Sequence, residues 1–351
     1  MNTTSLASIT RSPGVWAQAW SRLRDDRLGM VCLWVTMLYL ALVVVAQLGL
    51  AGADWQKEVG TPFAPPHFVG KIVDESQTAV VQKIDLPPVD LSAVDPLAPY
   101  YKEWQERASK FKSASVQKSD TLPMGGDQFG RDVMSKVIKG AQVSITVGLA
   151  AALFATVIGT VLGALGGYFG GKTGDLLEWV YNVFTAIPYI LLVFALAAVI
   201  KAGPLAKAID GVWTVVIILS LVGWTGIYRL VRGEYMKHRS REYVLAAEAI
   251  GASHWSRMFV HILPNVSHVV LVQLSLHVVG FIKAEVILSF LGLGVPIDMV
   301  SWGTMLSEAQ SELVLGKWWQ LAAATFTMAV FVTAFAVLTD SLRDALDPKL
   351  R

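Results

Sequence analysis

The 351-residue sequence holds a single cysteine, Cys32, which excludes an internal disulfide framework and any zinc site built from cysteines. Charge is scarce too: 16% of residues are charged, against about 25% in soluble domains. The 29 basic and 27 acidic residues leave a net charge of +2, without the basic stripe of a nucleic-acid binder, so no nucleic-acid partner is expected. No H-E-x-x-H pair occurs, and no cluster of carboxylate and histidine points to nickel or any other metal. What is abundant is apolar surface, at 54% of residues and a mean hydropathy of +0.52. That excludes a disordered chain and a small secreted scaffold. A polytopic membrane protein remains.

Six runs are long and apolar enough to span a bilayer, where the backbone must satisfy its own hydrogen bonds. They cover residues 29–51, 144–166, 176–200, 212–230, 266–288 and 318–339. The expected fold is therefore all-α, with six transmembrane helices. Ala51, Gly52 and Ala53 resemble a signal-peptide cleavage site. The apolar run before them is about 21 residues, against 7–15 for a signal core, so it reads as a retained anchor.

Short flanks set the orientation through Lys and Arg. Fourteen fall on one side: Arg11, Arg22, Arg24, Arg27, Lys172, Arg229, Arg232, Lys237, Arg239, Arg241, Arg257, Arg343, Lys349 and Arg351. Only three, Lys201, Lys207 and Lys317, fall in the opposite short loops. Both termini are thus expected in the cytoplasm, as the segment 1–28 and the tail 341–351. Residues 52–140 are then extracytoplasmic, and 141–340 form a core of spans two to six with a cytoplasmic loop at 231–264. The outer stretch carries Pro62, Pro65, Pro66, Pro87, Pro88, Pro96 and Pro99. It reads as an irregular lid without a core of its own, with short helices such as 99–111. It serves either as a contact surface for a soluble partner or as a spacer.

Residues 166–173, GGYFGGKT, match the phosphate-loop pattern G-x-x-x-x-G-K-[ST]. That pattern cradles phosphate between a strand and a helix. Here a transmembrane run precedes it and no soluble α/β domain surrounds it. Gly159, Gly163 and Gly167 recur every four residues, which lets another helix approach closely.

The loop 231–264 carries the most information. Residues 242–250 are good helix formers with small Ala246, Ala247 and Ala249. Gly251 permits a sharp reversal. Ser253 is placed to cap a second short helix containing His254, Trp255 and Arg257, and Pro264 sets the entry to span five. Such a helix–turn–helix offers a docking face, or lies on the membrane as an interfacial pair.

The run AA-x-x-x-G, nine residues, then H-I-L-P resembles the EAA signature of ABC-importer permeases. Its matching positions are Ala246, Ala247, Gly251, His261, Ile262, Leu263 and Pro264; Leu245 stands where the family usually has Glu. Three further segments are similar to the dipeptide/oligopeptide/nickel type. They are 122–148 with GRDVMSK, in which Gly126 replaces the usual Thr, the run ending at Pro188, and 284–296 followed by Trp302 and Gly303. The resemblance covers roughly two thirds of the chain, from 122 to 351.

What it implies is a noncatalytic permease subunit in a bacterial inner membrane, surrounded by lipid and paired with a second related permease. Two cytoplasmic ATPase subunits, which bind the ATP and Mg, would seat on the coupling loop through Ala246, Ala247, Gly251, Ala252, Ser253, Arg257, His261, Leu263 and Pro264. The chain itself needs no cofactor. A soluble binding protein would deliver the substrate. Peptides are the family's commonest cargo, with nickel chelates, glutathione and peptide-like antibiotics as relatives.

Polar residues at membrane depth are costly and face a cavity or the bundle interior. Lys283 and Glu285 of span five are candidates for the substrate pathway. The alternatives are that Lys283 snorkels to the headgroups and that Glu285 makes an interhelical hydrogen bond. Two residues apart, they point away from each other on a helix. Residues 292–316 are too polar to span, and 301–315 read as an interfacial helix. The resemblance implies that a helix here faces the incoming substrate, with Trp302, Met305 and Glu308 as the candidates for that contact. An intramembrane enzyme would need a reactive cluster, and none is present. A secondary transporter or channel would leave the loop motif unexplained, and no clear internal repeat supports it.

Overall fold

The computed structural model describes residues 15–70, 95, 97–110, 118–203, 211–296 and 298–346. Arg11, Lys207, Lys349, Arg351, Pro87, Pro88 and Pro96 lie outside the described residues. The elements in order are α1 (Val15–Asp25), α2 (Arg27–Gln47), α3 (Tyr101–Lys110), α4 (Val133–Phe169), α5 (Gly171–Thr185) and α6 (Tyr189–Ala202). They continue with α7 (Val212–His238), α8 (Glu242–Ala249), a π-helical segment (Ser256–Ile262), α9 (Leu263–Phe290), α10 (Trp302–Val314) and α11 (Trp319–Leu346).

Among the described residues, five helices are long and apolar enough to cross a membrane, or six if the bent pair α5–α6 is one span. The stretch expected as a straight span over 176–200 is that pair, bent by 88°. Pro188 is the cause. It lacks an N–H and disfavours helical backbone at the residue before it, so α6 starts anew with Pro188 as its N-cap. Other helices outrun their apolar windows. The helix α4 has 37 residues against the expected 144–166, because Ser, Lys and Gln continue a helix where hydropathy has already dropped.

Two units are distinguishable along the chain, Met1–Trp55 with Met134–Arg351, and Gln56–Val133. In the first, α4, α7 and α9 form the centre. Their contact uses glycine. A Cβ at Gly163 would stand 2.8 Å from the Tyr228 carbonyl oxygen, and one at Gly167 2.5 Å from that of Arg232. Gly159 faces Ile227 and the Trp224 carbonyl in the same way. The glycine stripe of α4 therefore lies directly on the backbone of α7, as small-residue spacing allows in lipid. Gly223 of α7 in turn receives the ring of Phe281, and Gly148 of α4 receives Ile282. Ile145, Ile218, Leu219, Phe281, Trp302 and Phe331 belong to the largest buried cluster. The α1, α2 and α11 helices share a smaller one around Leu23, Cys32 and Leu338.

The second unit is irregular, as expected. Ala64 and Leu122 are buried there. Short bridges join Gly60 to Ser119 and Pro66 to Leu122. Asp127 organises the GRD segment. Its carboxylate accepts the backbone N–H groups of Phe129 and Arg131, both at 2.9 Å, and the Arg131 Nε at 2.6 Å. Local side-chain-to-backbone bonds, rather than apolar runs, hold this segment. The expected helix at 99–111 is present as α3.

Candidate coupling surface

The α8 turn is shorter than the expected 231–264 loop. The helix α7 runs on to His238 and the next helix resumes just after Ser253. Gly251 reverses the chain with φ of +85°, which an L side chain adopts only under strain. Ser253 Oγ accepts the N–H of Ser256 at 3.2 Å and caps the helix that begins there. This helix is not a second short one; it runs unbroken from Ser256 to Phe290. Pro264 therefore does not separate two elements. It sits in the first turn of α9, directly after the π-helical stretch, where the widened turn leaves the missing N–H without consequence.

One face of α8 is anchored. Val244 is buried in one cluster with Tyr235, Met258 and Ile262, Ala247 is buried as well, and the Tyr235 hydroxyl donates to the Met258 carbonyl at 3.0 Å. The other face is exposed and apolar: Leu245 is 51%, Ile250 85% and Trp255 61% accessible. Trp255 stacks on Phe259 with ring centroids 5.5 Å apart. Ala246, Ala252 and Ser253 lie around this face. His261 and Leu263 are half-buried behind it, and the His261 carbonyl accepts Asn265 Nδ2 at 2.7 Å.

Arg257 is buried beneath the turn. Its Nη1 pairs with Glu248 Oε1 at 2.7 Å and its Nη2 donates to His254 Nδ1 at 2.9 Å. Its guanidinium lies 5.8 Å from the ring centroid of Tyr168, the penultimate residue of α4. The Tyr168 hydroxyl reaches His254 Nδ1 as well, at 3.0 Å.

Near the other end of α4, the expected pathway residues separate. Lys283 is exposed, whereas Glu285, Trp302 and Met305 are completely enclosed within the subunit. The last three therefore line no surface of this structure. They hold α10 in place. The Ser289 hydroxyl donates to Glu285 at 2.6 Å, and the Trp302 backbone N–H donates to Ser144 Oγ at 3.2 Å. Ser301 and Thr304 form a reciprocal capping box at the start of α10. A Cβ on Gly303 would stand 2.5 Å from the Val286 carbonyl oxygen, so α10 meets α9 backbone to backbone. Glu308 is partly exposed and pairs with Lys136, which is fully buried. Gln320 joins them: its Oε1 accepts from Lys136 Nζ at 3.1 Å and its Nε2 donates to the Met305 carbonyl at 3.2 Å. Among the described residues no group of His, Cys, Asp and Glu is arranged to hold a metal ion.

Residues 141–351 match the family described as the binding-protein-dependent transport system inner membrane component. The chain belongs to this family. It is 32% identical over 333 residues to the dipeptide transport system permease protein DppC of Bacillus subtilis (strain 168), covering 95% of this chain and 85% of that protein. The oligopeptide transport system permease protein OppC of the same organism is 34% identical over 254 residues, covering 72% and 80%. The glutathione transport system permease protein GsiD of Pectobacterium atrosepticum is 35% identical over 231 residues, covering 65% and 73%. Among solved structures, a chain of the inward-facing MetNI methionine ABC transporter aligns with a TM-score of 0.50. At 14% identity, covering 61% of this chain and 98% of that one, the likeness establishes the fold. The protein is thus a noncatalytic, multi-pass permease subunit of a bacterial ABC importer, a type that works with an ATPase and a substrate-binding protein.

The residues that sequence reasoning missed in this permease are Lys136, Gln320, Tyr168 and the pairing of Glu248 with Arg257. Lys136 lies inside the GRDVMSK segment that carried the resemblance, but its partner Glu308 is 172 residues away. Spacing along the chain gives no sign of such a pair. Lys136 also lies in the polar start of α4, ahead of the apolar window, where a lysine draws no notice.

Proposed function

We propose that this permease is one of two related subunits forming the pathway of an ATP-driven importer for peptides or peptide-like substrates. Its relatives DppC and OppC, named for dipeptide and oligopeptide transport, support the cargo class. Two ATPase subunits bind the ATP and Mg, one of them on the α8 turn, and this chain carries no cofactor. A soluble binding protein delivers substrate to the opposite side. Both termini and the α8 turn face the cytoplasm, in keeping with the excess of Lys and Arg there.

The observation that carries this reading is the α8 turn itself. An exposed apolar triad on a firmly anchored turn is a protein-contact surface, and Leu245, Ile250 and Trp255 provide one. Because α8 is fixed to the ends of α4, α7 and α9, a push on it moves helices rather than a loop.

The test is a tagged purification in mild detergent from the native cell, with mass spectrometry of what co-purifies. A second permease and one or two ATPases are expected. The variant Leu245→Asp/Ile250→Asp should lose the ATPases and keep the second permease. A solitary oligomer that transports in liposomes under an ion gradient would overturn the reading in favour of a secondary transporter.

A further inference from the structure

The link between α8 and α9 contains a soft joint. Residues 256–262 are π-helical, and Pro264 comes within two residues of their end. π-Helical turns and proline are where helices bend. A displacement of α8 carried only along the chain would be partly absorbed at this joint. A second attachment bypasses it. Arg257 sits inside the π-helical segment and bonds Glu248 of α8 at 2.7 Å and His254 of the turn at 2.9 Å. Both Arg257 and His254 contact Tyr168 of α4, at 5.8 Å from the ring centroid and 3.0 Å from the hydroxyl. The ring of Phe169 also lies 5.7 Å from that of His254. From α7, the cap residue Arg239 donates through Nη1 to the Tyr168 carbonyl at 3.4 Å.

We propose that Arg257 is a positioning residue that clamps the α8 turn to the end of α4, so that motion of α8 is delivered to α4 as well as along α9. This rests on the reading of α8 as the ATPase contact. Arg257 is buried and takes no part in the exposed contact face; it acts through Glu248, His254 and Tyr168. A planar guanidinium is suited to this because two separate N–H edges engage two acceptors while its face meets a ring. Lysine reproduces the charge but not the fork.

The experiment uses the whole complex, with its ATPases and second permease, in proteoliposomes loaded with the binding protein and a labelled peptide. ATP hydrolysis and uptake are measured together. Arg257→Met is expected to keep the ATPases bound while uptake per ATP falls on the order of tenfold, the scale of mutations that interrupt coupling between sites. Arg257→Lys should recover only part of the loss. Tyr168→Leu, which leaves the Glu248 pair intact, should lower uptake per ATP similarly, and it decides the matter where Arg257→Met does not assemble. Unchanged uptake per ATP in Tyr168→Leu or in Arg257→Met would overturn the clamp. So would loss of the ATPases from assembled Arg257→Met, because Arg257 would then build the docking face. If the native chain itself brings down no ATPase, the failure belongs to the coupling reading and not to the clamp.

Discussion

The pair between Lys136 and Glu308 sets a quantitative expectation for α10. Lys136 is fully enclosed and the side chain of Glu308 is 33% exposed, so one partner of the pair has little access to water. Removing one partner of a buried ion pair costs about 3–5 kcal/mol, while replacing both by apolar groups of similar volume is often close to neutral. The partial exposure of Glu308 argues for the lower end, about 3 kcal/mol, for Lys136→Met. The loss should be local, because Gln320 and the Met305 carbonyl tie the same network to α10. A fall of about 3 kcal/mol raises exchange from the protected amides of α10 on the order of 10²-fold. Hydrogen–deuterium exchange with mass spectrometry, on the complex in detergent, reads this directly. Glu308→Leu, which leaves the fully buried Lys136 without its carboxylate, should show a rise at least as large. The paired variant Lys136→Met/Glu308→Leu should fall well below the sum of the two, which is the signature of a coupled pair. Additive effects, or exchange that rises equally in α2 and α11, would refute the idea that this ion pair fastens α10.

Three other outcomes rest on the packing and the electrostatics. Gly163→Val should force α4 and α7 apart, because its Cβ would stand 2.8 Å from the Tyr228 carbonyl oxygen and 3.0 Å from Val231 Cβ. A cost of about 1–3 kcal/mol, the usual scale of overpacking, should appear as a lower thermal midpoint. Gly233→Ala on α7, where a Cβ meets nothing, is expected to be neutral or to stabilise by up to about 1 kcal/mol through helix propensity; a drop equal to that of Gly163→Val would count against the backbone-contact account. Asp26 should make an acid-sensitive contact between α2 and α11. The Ser341 hydroxyl donates to its carboxylate at 2.6 Å and, with the backbone N–H groups of Gly29 and Leu28, holds its pKa below the usual carboxylate value. A depressed pKa contributes stability above the unfolded value that is lost as pH falls through the folded one. Asp26→Asn should therefore flatten the decline of the thermal midpoint below about pH 4, and an unchanged acid limb would remove Asp26 from the account.

The spans were legible in the sequence because lipid imposes a length and a composition that few other environments demand. A close approach of some helix to α4 was legible as well, from the recurrence of Gly159, Gly163 and Gly167, but not that the helix is α7. The Gly251 reversal was equally open, because only glycine takes that backbone without strain. The broken third span was not, even though Pro188 lies inside it. A single proline kinks or breaks a helix according to what surrounds it, and the surroundings are tertiary. The same limit hid how deeply three of the expected pathway residues are enclosed. Glu285 was a candidate as a polar group at membrane depth, Trp302 and Met305 through the resemblance. The Ser289 hydroxyl lies one turn on from Glu285 in α9, but the partners of Trp302 and Met305 are Ser144, Phe331 and Gln320, and these come together only when α10 and α11 fold back on α4.

The three features that most concern coupling meet on one helix. Toward one end, Lys136 holds the ion pair to α10; along its middle, the glycine stripe lies on α7; at the other end, Tyr168 touches Arg257 and His254. With 37 residues at about 1.5 Å each, α4 extends about 55 Å. It contains no proline, and of the glycines that would otherwise soften it, Gly159, Gly163 and Gly167 are pressed against the α7 backbone, Gly148 against Ile282 of α9 and Gly140 against the start of α10. A helix so supported bends less readily than the π-helical entry to α9. Of the two routes out of the α8 turn, the covalent one is therefore the compliant one and the route through side chains to α4 is the stiff one. That inversion is why the buried arginine, and not the exposed apolar triad, is the place where docking of a partner can be separated from transmission of its motion.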